Sequence, residues 1–365
     1  MLDRATRQSR NGIARRACRV MPILVTVGLT AALPNAAGAQ PSEHQAPVSI
    51  PELTAAALPA PDTSHLVAVK PDKGRMLDVT VYSQAMAKNI TLKVLPAPDG
   101  SAPAHTLYLL NGGSGGTEGS NWHTKTDVDG FFADKQVNVV IPVGGEGSYF
   151  TDWKADDPDL GRQQWKTFLV DELTPIIDSA FHGSGGNSIV GISMSATSVF
   201  QLAIAAPETY QAIGSYSGCV GTSDPAGKAM TQAVVTRWNG NPDNMWGPGS
   251  DPAWAANDAF VNADKLRGTT IYVAAGTGTA GELDTLDGPN IDNGGTLIGQ
   301  LVSGGVLEAV MRQCSLQLQN RLAALDIPAT FEFRDTGTHS WGYWQQYLHN
   351  SWPSFKEAMD RKTQS

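Results

Sequence analysis

Cysteine is scarce in this chain, three residues in 365, and the scarcity excludes several classes. Cys18 precedes the apolar run at 20–33, so it cannot become a lipid-modified residue at a cleavage site. The other two, Cys219 and Cys314, have no metal-type spacing, and the histidines form no cluster; neither a metal nor an organic cofactor is expected. Positive charge is also short, with 26 Lys and Arg against 35 Asp and Glu. Six of those arginines and one aspartate lie within residues 1–39, so removing that segment takes the formal charge from −9 to about −14. So acidic a chain does not suit nucleic acid or an anionic bilayer as partner. A long hydrophobic run is missing too: 20–33 is too short for a confident membrane span, and no second apolar segment is apparent.

What is present at the start reads as a targeting segment. Arg4, Arg7, Arg10, Arg15, Arg16 and Arg19 form a basic region, the apolar run follows, and Ala37-Gly38-Ala39 supplies small residues for cleavage. A signal peptide at 1–39 predicts an exported protein whose mature chain begins at Gln40; the general secretory route is favoured, with Arg15-Arg16 leaving a twin-arginine route as the alternative. Residues 40–65 are rich in Pro, Ala and Ser and read as a leader. Residues 66–362 are long enough for one large catalytic domain. In an oxidising compartment Cys219 and Cys314 suggest one disulfide, the alternative being two buried thiols.

Short β-type runs recur at 77–82, 90–95, 106–110, 137–141, 188–190, 213–216, 270–275 and 329–333, several of them continuously apolar, as in strands covered on both faces. Helical spacing appears at 163–180, 195–206 and 307–325, and from 343 towards 361. Two hairpin-like strands followed by strand–helix alternation predict an α/β-hydrolase fold, a mostly parallel sheet with helices on both faces. The stretch 220–268 breaks the alternation. Rich in Pro, Gly and Asn and carrying Trp238, Trp246 and Trp254, it reads as a long irregular insertion, either a wall of the site or a packed surface excursion.

Within that frame Gly191-Ile192-Ser193-Met194-Ser195 falls between a short apolar strand and a helix. A serine hydroxyl becomes nucleophilic when a sharp strand-to-helix turn exposes it beside a base, and small neighbours permit the turn. Ser195 stands where Gly is usual; an ordinary helix cap is the plainer reading of Ser193. The base should be a histidine near the C-terminus, and His339 in Gly337-Thr338-His339-Ser340-Trp341 follows the last strand. His349 falls inside a helical pattern and reads as a surface or packing residue. The acid must lie between them. Glu282, Asp284, Asp287, Asp292 and Glu308 all qualify; spacing favours Glu282, whereas Glu308 opens a helical pattern where a carboxylate also suits the dipole. For the oxyanion, one N–H should come from Met194 and the other from Gly113, in the loop Asn111-Gly112-Gly113-Ser114-Gly115-Gly116.

These residues resemble the antigen 85-type mycolyltransferases of mycolic-acid bacteria, particularly their corynebacterial members. The resemblance runs in order through Leu109-Leu110-Asn111-Gly112, Ile141-Pro142-Val143-Gly144-Gly145 with Asp152-Trp153, the segment around Ser193, Met245-Trp246-Gly247-Pro248, Asp251-Pro252-Ala253-Trp254 and the segment around His339. It implies transfer of a mycoloyl group from trehalose monomycolate to a second trehalose monomycolate or to cell-wall arabinogalactan. Trehalose mycolates and wall glycans would then be the partners, the cell envelope the location, and the family tolerates Ser195. The family's acid sits in a step similar to Leu307-Glu308, which favours Glu308 over Glu282. By the same resemblance Trp341, with Ser340 beside it, lines the trehalose site; Trp122, beyond the glycine-rich loop, is a candidate for the same wall, a core tryptophan being its plainer reading. Asn111 and Ser114 stand where mycobacterial members place a charged pair on the sugar, and a Cys219–Cys314 disulfide would pin the helix of Glu308. Two further readings remain: a secreted carboxylesterase of acyl or feruloyl esters, and a non-catalytic wall-binding relative.

Overall fold

The computed structural model describes residues 63–364; the signal peptide and nearly all of the leader lie outside them. Nine strands form one sheet: β1 His65–Pro71, β2 Leu77–Ser83, β3 Lys88–Leu95, β4 Ala104–Leu110, β5 Val137–Val143, β6 Gly183–Ile192, β7 Ala212–Tyr216, β8 Thr270–Ala275 and β9 Thr330–Phe333. Their order is β1-β2-β3-β5-β4-β6-β7-β8-β9. The β1-β2-β3-β5 end is antiparallel and every pairing from β5 to β9 is parallel, which is the mostly parallel α/β-hydrolase sheet the alternation predicts.

Side-chain alternation explains the layering. In β4, Leu107 and Leu109 enter one core and Tyr108 and Leu110 the other. In β5, Val139 and Ile141 oppose Val140 in the same way. Such strands are apolar at every position because both faces are covered. One face packs under Leu169, Leu173, Val199, Phe200 and Leu318. The other packs under the C-terminal helix Trp341–Gln364, which contributes Trp344, Tyr347, Phe355 and Met359.

Three expectations change. Strand β1 has no counterpart among the expected strands, because its residues alternate between exposed and half-buried and give little apolar signal; it is an edge strand, and His65, expected in the leader, opens it. The stretch 220–268 is largely helical, with segments Pro225–Arg237, Pro242–Trp246, Ala253–Ala256 and Ala263–Leu266. Helices start there because Asp224 and Asn241 accept N-terminal amides and a proline follows each. The helix expected at 307–325 is one arm of a continuous helix Gly294–Ala324, passing through a π turn at Gln300–Gly304. Glycines at its start hid it from the apolar pattern, and Asn293 caps it. Glu308 therefore lies in the helix interior, and the argument from the dipole at a helix start lapses.

Asp178 gives a test of the fold away from the site. Burial pushes its carboxyl up to about 6, and Oδ1 is buried without a hydrogen-bond partner among the described residues. A raised acid contributes its full stability below about pH 3.8 and loses it as the pH climbs through the folded value. Asp178→Asn stays neutral throughout. It should stabilise the protein at pH 8 by about 1–2 kcal/mol, allowing for partial exposure, and change little at pH 3.5. Urea midpoints at the two pH values check this.

Candidate active site

The parallel strands deliver their C-terminal ends to one rim, where ligands bind in open α/β sheets. Register places Ile192 of β6 beside Tyr216 of β7, and Tyr216 beside Ala274 of β8, so Ser193 and Ser217 emerge next to each other. Ser193 has φ 55° and ψ −120° and leads directly into the helix Met194–Ala205. This left-handed conformation costs a serine about 1–3 kcal/mol and is held from several sides. The Ser193 N–H donates to Tyr216 O at 3.0 Å. Ser195 Oγ accepts from Ile192 N at 2.9 Å. A Cβ at Gly191 would stand 2.2 Å from Ser195 O, and one at Gly218 would meet Ala196 Cβ at 2.4 Å. Ser195, the departure from the usual pattern, thus ties the turn together from inside. No side-chain cap hydrogen bond is made by Ser193 to its helix, which removes the plain capping role.

His339 Nδ1 lies 2.9 Å from Glu308 Oε2. Glu308 is fully buried; its Oε1 accepts from Ser217 Oγ at 2.9 Å and from Gly276 N at 2.7 Å. Trp344 Nε1 donates to Ser217 Oγ at 3.0 Å. The carboxylate therefore has a donor on every side, which fixes its orientation. The imidazole stands edge-on to Trp344 at 5.0 Å. Its Nε2 is buried and has no hydrogen-bond partner among the described residues. With Nδ1 bonded to Glu308, Nε2 is the ring nitrogen left for a further partner; catalytic bonds of this kind often close only when substrate arrives.

The other acids are accounted for. Glu282 is exposed and pairs with Arg334 at 2.9 Å. Asp287 and Asp292 are exposed. Asp284 is buried but serves the loop before His339: it accepts from Thr338 Oγ1 at 2.5 Å, Gln300 Nε2 at 2.7 Å and Tyr343 OH at 2.8 Å. Burial and this carboxylate hold the Tyr343 phenol well above its ordinary value, so it stays a donor. Neither Asp284 nor Ser217 carries a motif; both matter only because the fold brings them under the loop.

Gly112 approaches the nucleophile closely, since a Cβ there would lie 3.4 Å from Ser193 Cβ. A Cβ on Gly113 would meet Trp238 Nε1 at 3.0 Å. Trp238 is thus the part of the insertion that walls the site, whereas Trp246 and Trp254 are buried and pack edge-to-face at 5.2 Å. Ser114 is half-buried on the same loop, and its Oγ accepts from Gly116 N at 3.3 Å. Trp341 is half-buried, packed between Trp122 at 5.6 Å and Trp344 at 5.1 Å. Ser340 is nearly buried beside it.

Of the expected sugar contacts, Asn111 is corrected and Trp122 takes its plainer reading as a core residue. Asn111 is fully buried. Its amide donates to Pro142 O at 2.9 Å and its Oδ1 accepts from Trp122 N at 3.3 Å. It shapes the glycine-rich loop and has no surface for a ligand. Trp122 is also fully buried, donates to Leu110 O at 3.0 Å and backs Trp341 from beneath. As expected, His349 is a surface residue, bonded to Asp127 and stacked on Phe131.

Cys219 and Cys314 form a disulfide spanning 95 residues, tying the end of β7 to the helix of Glu308. Closing so long a loop stabilises by about 4–5 kcal/mol. Replacing both cysteines by serine should lower the melting temperature, and reduce kcat on a soluble ester about tenfold as the acid's helix loosens. Thermal melts and initial rates, with and without reductant, check both effects.

A strained serine after a central strand, a buried Glu–His pair and a glycine-rich loop at one rim define a serine hydrolase of the α/β-hydrolase fold. Comparison with known proteins narrows this class. Residues 83–355 match the family model described as "Putative esterase". The chain is 30% identical over 289 residues to the diacylglycerol acyltransferase/mycolyltransferase Ag85A of Mycobacterium leprae, covering 76% of this chain and 82% of that protein. It is 32% identical over 289 residues to Ag85B of Mycobacterium intracellulare, with the same coverages. The crystal structure of Mycobacterium tuberculosis MPT51 superposes with a TM-score of 0.65 at 24% identity, over 78% of this chain and 99% of that one. An S-formylglutathione hydrolase from Agrobacterium tumefaciens shares the fold at TM-score 0.55 and 14% identity, over 81% and 99% of the two chains. The chain belongs to this esterase family and, within it, to the antigen 85-type mycolyltransferases. It is an acyl-transfer enzyme of the serine-hydrolase kind.

Proposed function

We propose that the enzyme moves a mycoloyl group from trehalose monomycolate to a second trehalose monomycolate or to cell-wall arabinogalactan, through an acyl-enzyme on Ser193. The observation that carries this reading is the His339–Glu308 pair, whose free Nε2 stands at the rim of the strained serine. In the first half-reaction Nε2 takes the Ser193 proton as Oγ adds to the ester carbonyl. The oxyanion rests on the N–H groups of Met194, free because a first-turn amide has no intrahelical acceptor, and of Gly113. Collapse breaks the ester C–O bond; the proton on Nε2 passes to the departing sugar oxygen, and trehalose leaves. In the second half-reaction a sugar hydroxyl gives its proton to Nε2 and attacks the acyl-enzyme; collapse breaks the acyl C–Oγ bond, and the proton on Nε2 returns to Ser193 Oγ. Glu308 stabilises the imidazolium in both halves.

Trp341 and Ser340 are the sugar wall in this reading, with Ser114 and Trp238 across the loop. Asn111 and Ser114 are neutral where the resemblance leads one to look for a charged grip, so stacking and neutral hydrogen bonds hold the disaccharide. Export follows from the basic-apolar-small pattern at 1–39; the secreted form should begin at Gln40 by N-terminal mass spectrometry.

Product analysis with trehalose monomycolate as both donor and acceptor tests the transfer. Trehalose dimycolate and free trehalose in equal amounts are expected. Free mycolic acid with no dimycolate would make the enzyme a carboxylesterase, and no turnover at all would leave only the wall-binding reading.

A further inference from the structure

The helix that presents Glu308 is inverted along part of its length. Surface helices bury an apolar face and show charge to water. Here the face turned inward carries Gly305, Glu308 and Met311, while the outward face carries Ile298, Val302, Val306, Leu307 and Val310. Ile298, Val302 and Val306 are each more than 60% exposed. They recur at four-residue spacing, forming an aliphatic ridge about 18 Å long from Ile298 to Val310. Beyond Arg312 the same helix reverts to ordinary pattern: its exposed positions become Gln313, Gln317 and Asn320. Leu286, 63% exposed, adds to the apolar surface in the segment leading to this helix. Contiguous apolar surface on this scale marks an interaction site in a soluble protein.

Two observations say what covers it. The ridge is continuous with the catalytic loop: Gly304, in the turn between Val302 and Val306, accepts the backbone N–H of His339 at 3.2 Å. Whatever lies on the ridge therefore lies at the mouth of the site. Charge then selects the occupant. From Gly268 to Met311 the sequence holds no Lys or Arg but carries Glu282, Asp284, Asp287, Asp292 and Glu308. Interfacial helices that bind anionic lipid carry Lys or Arg along the polar face; the stretch that carries the ridge has none, and Arg312, just beyond it, stacks on Phe333 at 4.0 Å and donates to the Ala275 and Arg334 carbonyls.

We infer that the ridge docks the enzyme on a lipid layer with uncharged headgroups, so that ester substrate passes from the layer to Ser193 without crossing water. The inference rests on the lipid-ester reading above, yet the docking is measurable without any reaction.

The test is co-sedimentation of the full mature chain with phosphatidylcholine vesicles, compared with vesicles half phosphatidylglycerol. Wild-type protein should bind the neutral vesicles, with no gain from anionic lipid. Val302→Asp/Val306→Asp should bind at least tenfold more weakly while hydrolysing a soluble short-chain p-nitrophenyl ester at the wild-type rate, which shows it folded. Ser193→Ala should bind like wild type, separating docking from chemistry. Failure of wild type to bind, or equal binding by the double variant, overturns the inference. So does a wild-type dimer in sedimentation equilibrium that the double variant dissolves, because the ridge would then be covered by a second copy. Release of free acid in the product analysis, with docking intact, would instead overturn the transferase reading alone.

Discussion

Ser193→Ala should lower kcat by on the order of a million-fold and abolish labelling by a serine-directed phosphonate, without loosening the fold. The two halves of that expectation have separate physical sources. Chemistry is lost because Oγ is the proposed nucleophile, carried on the strained turn, and His339 Nε2, the proposed base, has no other hydrogen-bond partner among the described residues. Stability is kept because the turn does not depend on the hydroxyl. It is fixed by the Ser193 N–H on Tyr216, by Ser195 Oγ on Ile192 and Leu110, and by the absence of side chains at Gly191 and Gly218. Alanine pays the same backbone strain as serine, so its melting temperature should match wild type. Ser193→Gly removes the strain as well as the nucleophile and should stabilise the inactive protein by about 1 kcal/mol. Phosphonate labelling followed by intact mass, beside thermal melts of the three proteins, reads both quantities. A labelled Ser193→Ala protein would place the nucleophile elsewhere.

How much of this was legible beforehand depended on whether local pattern or tertiary contact decided each feature. The central strands were legible because a strand covered on both faces must be apolar throughout; β8 has the bounds its pattern gives. Strand β1 was not, since an edge strand with half-exposed faces carries no such mark. Ser193 and His339 announced themselves by a strand-to-helix turn and by chain order. Glu308 did not: five carboxylates fitted the order, and spacing alone favoured Glu282, which the fold sends to solvent against Arg334. The choice needed the resemblance first and the buried contacts with Ser217 and Gly276 afterwards. The residues expected to contact a sugar divide: Trp341 is half-buried between Trp122 and Trp344, whereas Asn111 and Trp122 are consumed inside the loop. Residue identity cannot tell a contact from a support one layer below it. Trp238 shows the converse: the insertion looked irregular, and only its folding into helices brings that ring against Gly113.

That dependence on tertiary contact makes Glu308→Gln the second decisive test. Wild-type Oε1 accepts two donors, the Ser217 hydroxyl and the Gly276 N–H, and Oε2 faces His339 Nδ1. Glutamine is nearly isosteric, yet one of its two ends must become a donor. If the NH2 group faced Ser217 and Gly276, it would oppose two donors in a buried site. The favoured placement therefore keeps the carbonyl there and turns NH2 towards His339 Nδ1, which must then be the unprotonated nitrogen. The proton moves to Nε2, and the ring can no longer accept from Ser193. The expected loss is about ten-thousand-fold in kcat, the magnitude that the wrong tautomer costs in serine triads, with KM little changed and the fold intact. Activity should return partly above neutral pH if hydroxide replaces the lost base. Glu282→Gln, by contrast, breaks only an exposed pair with Arg334 and should stay within about twofold of wild type, since such pairs are worth little. Steady-state rates on a soluble ester, with circular dichroism as the check on folding, compare the two. Equal and small losses would remove Glu308 from the role of acid.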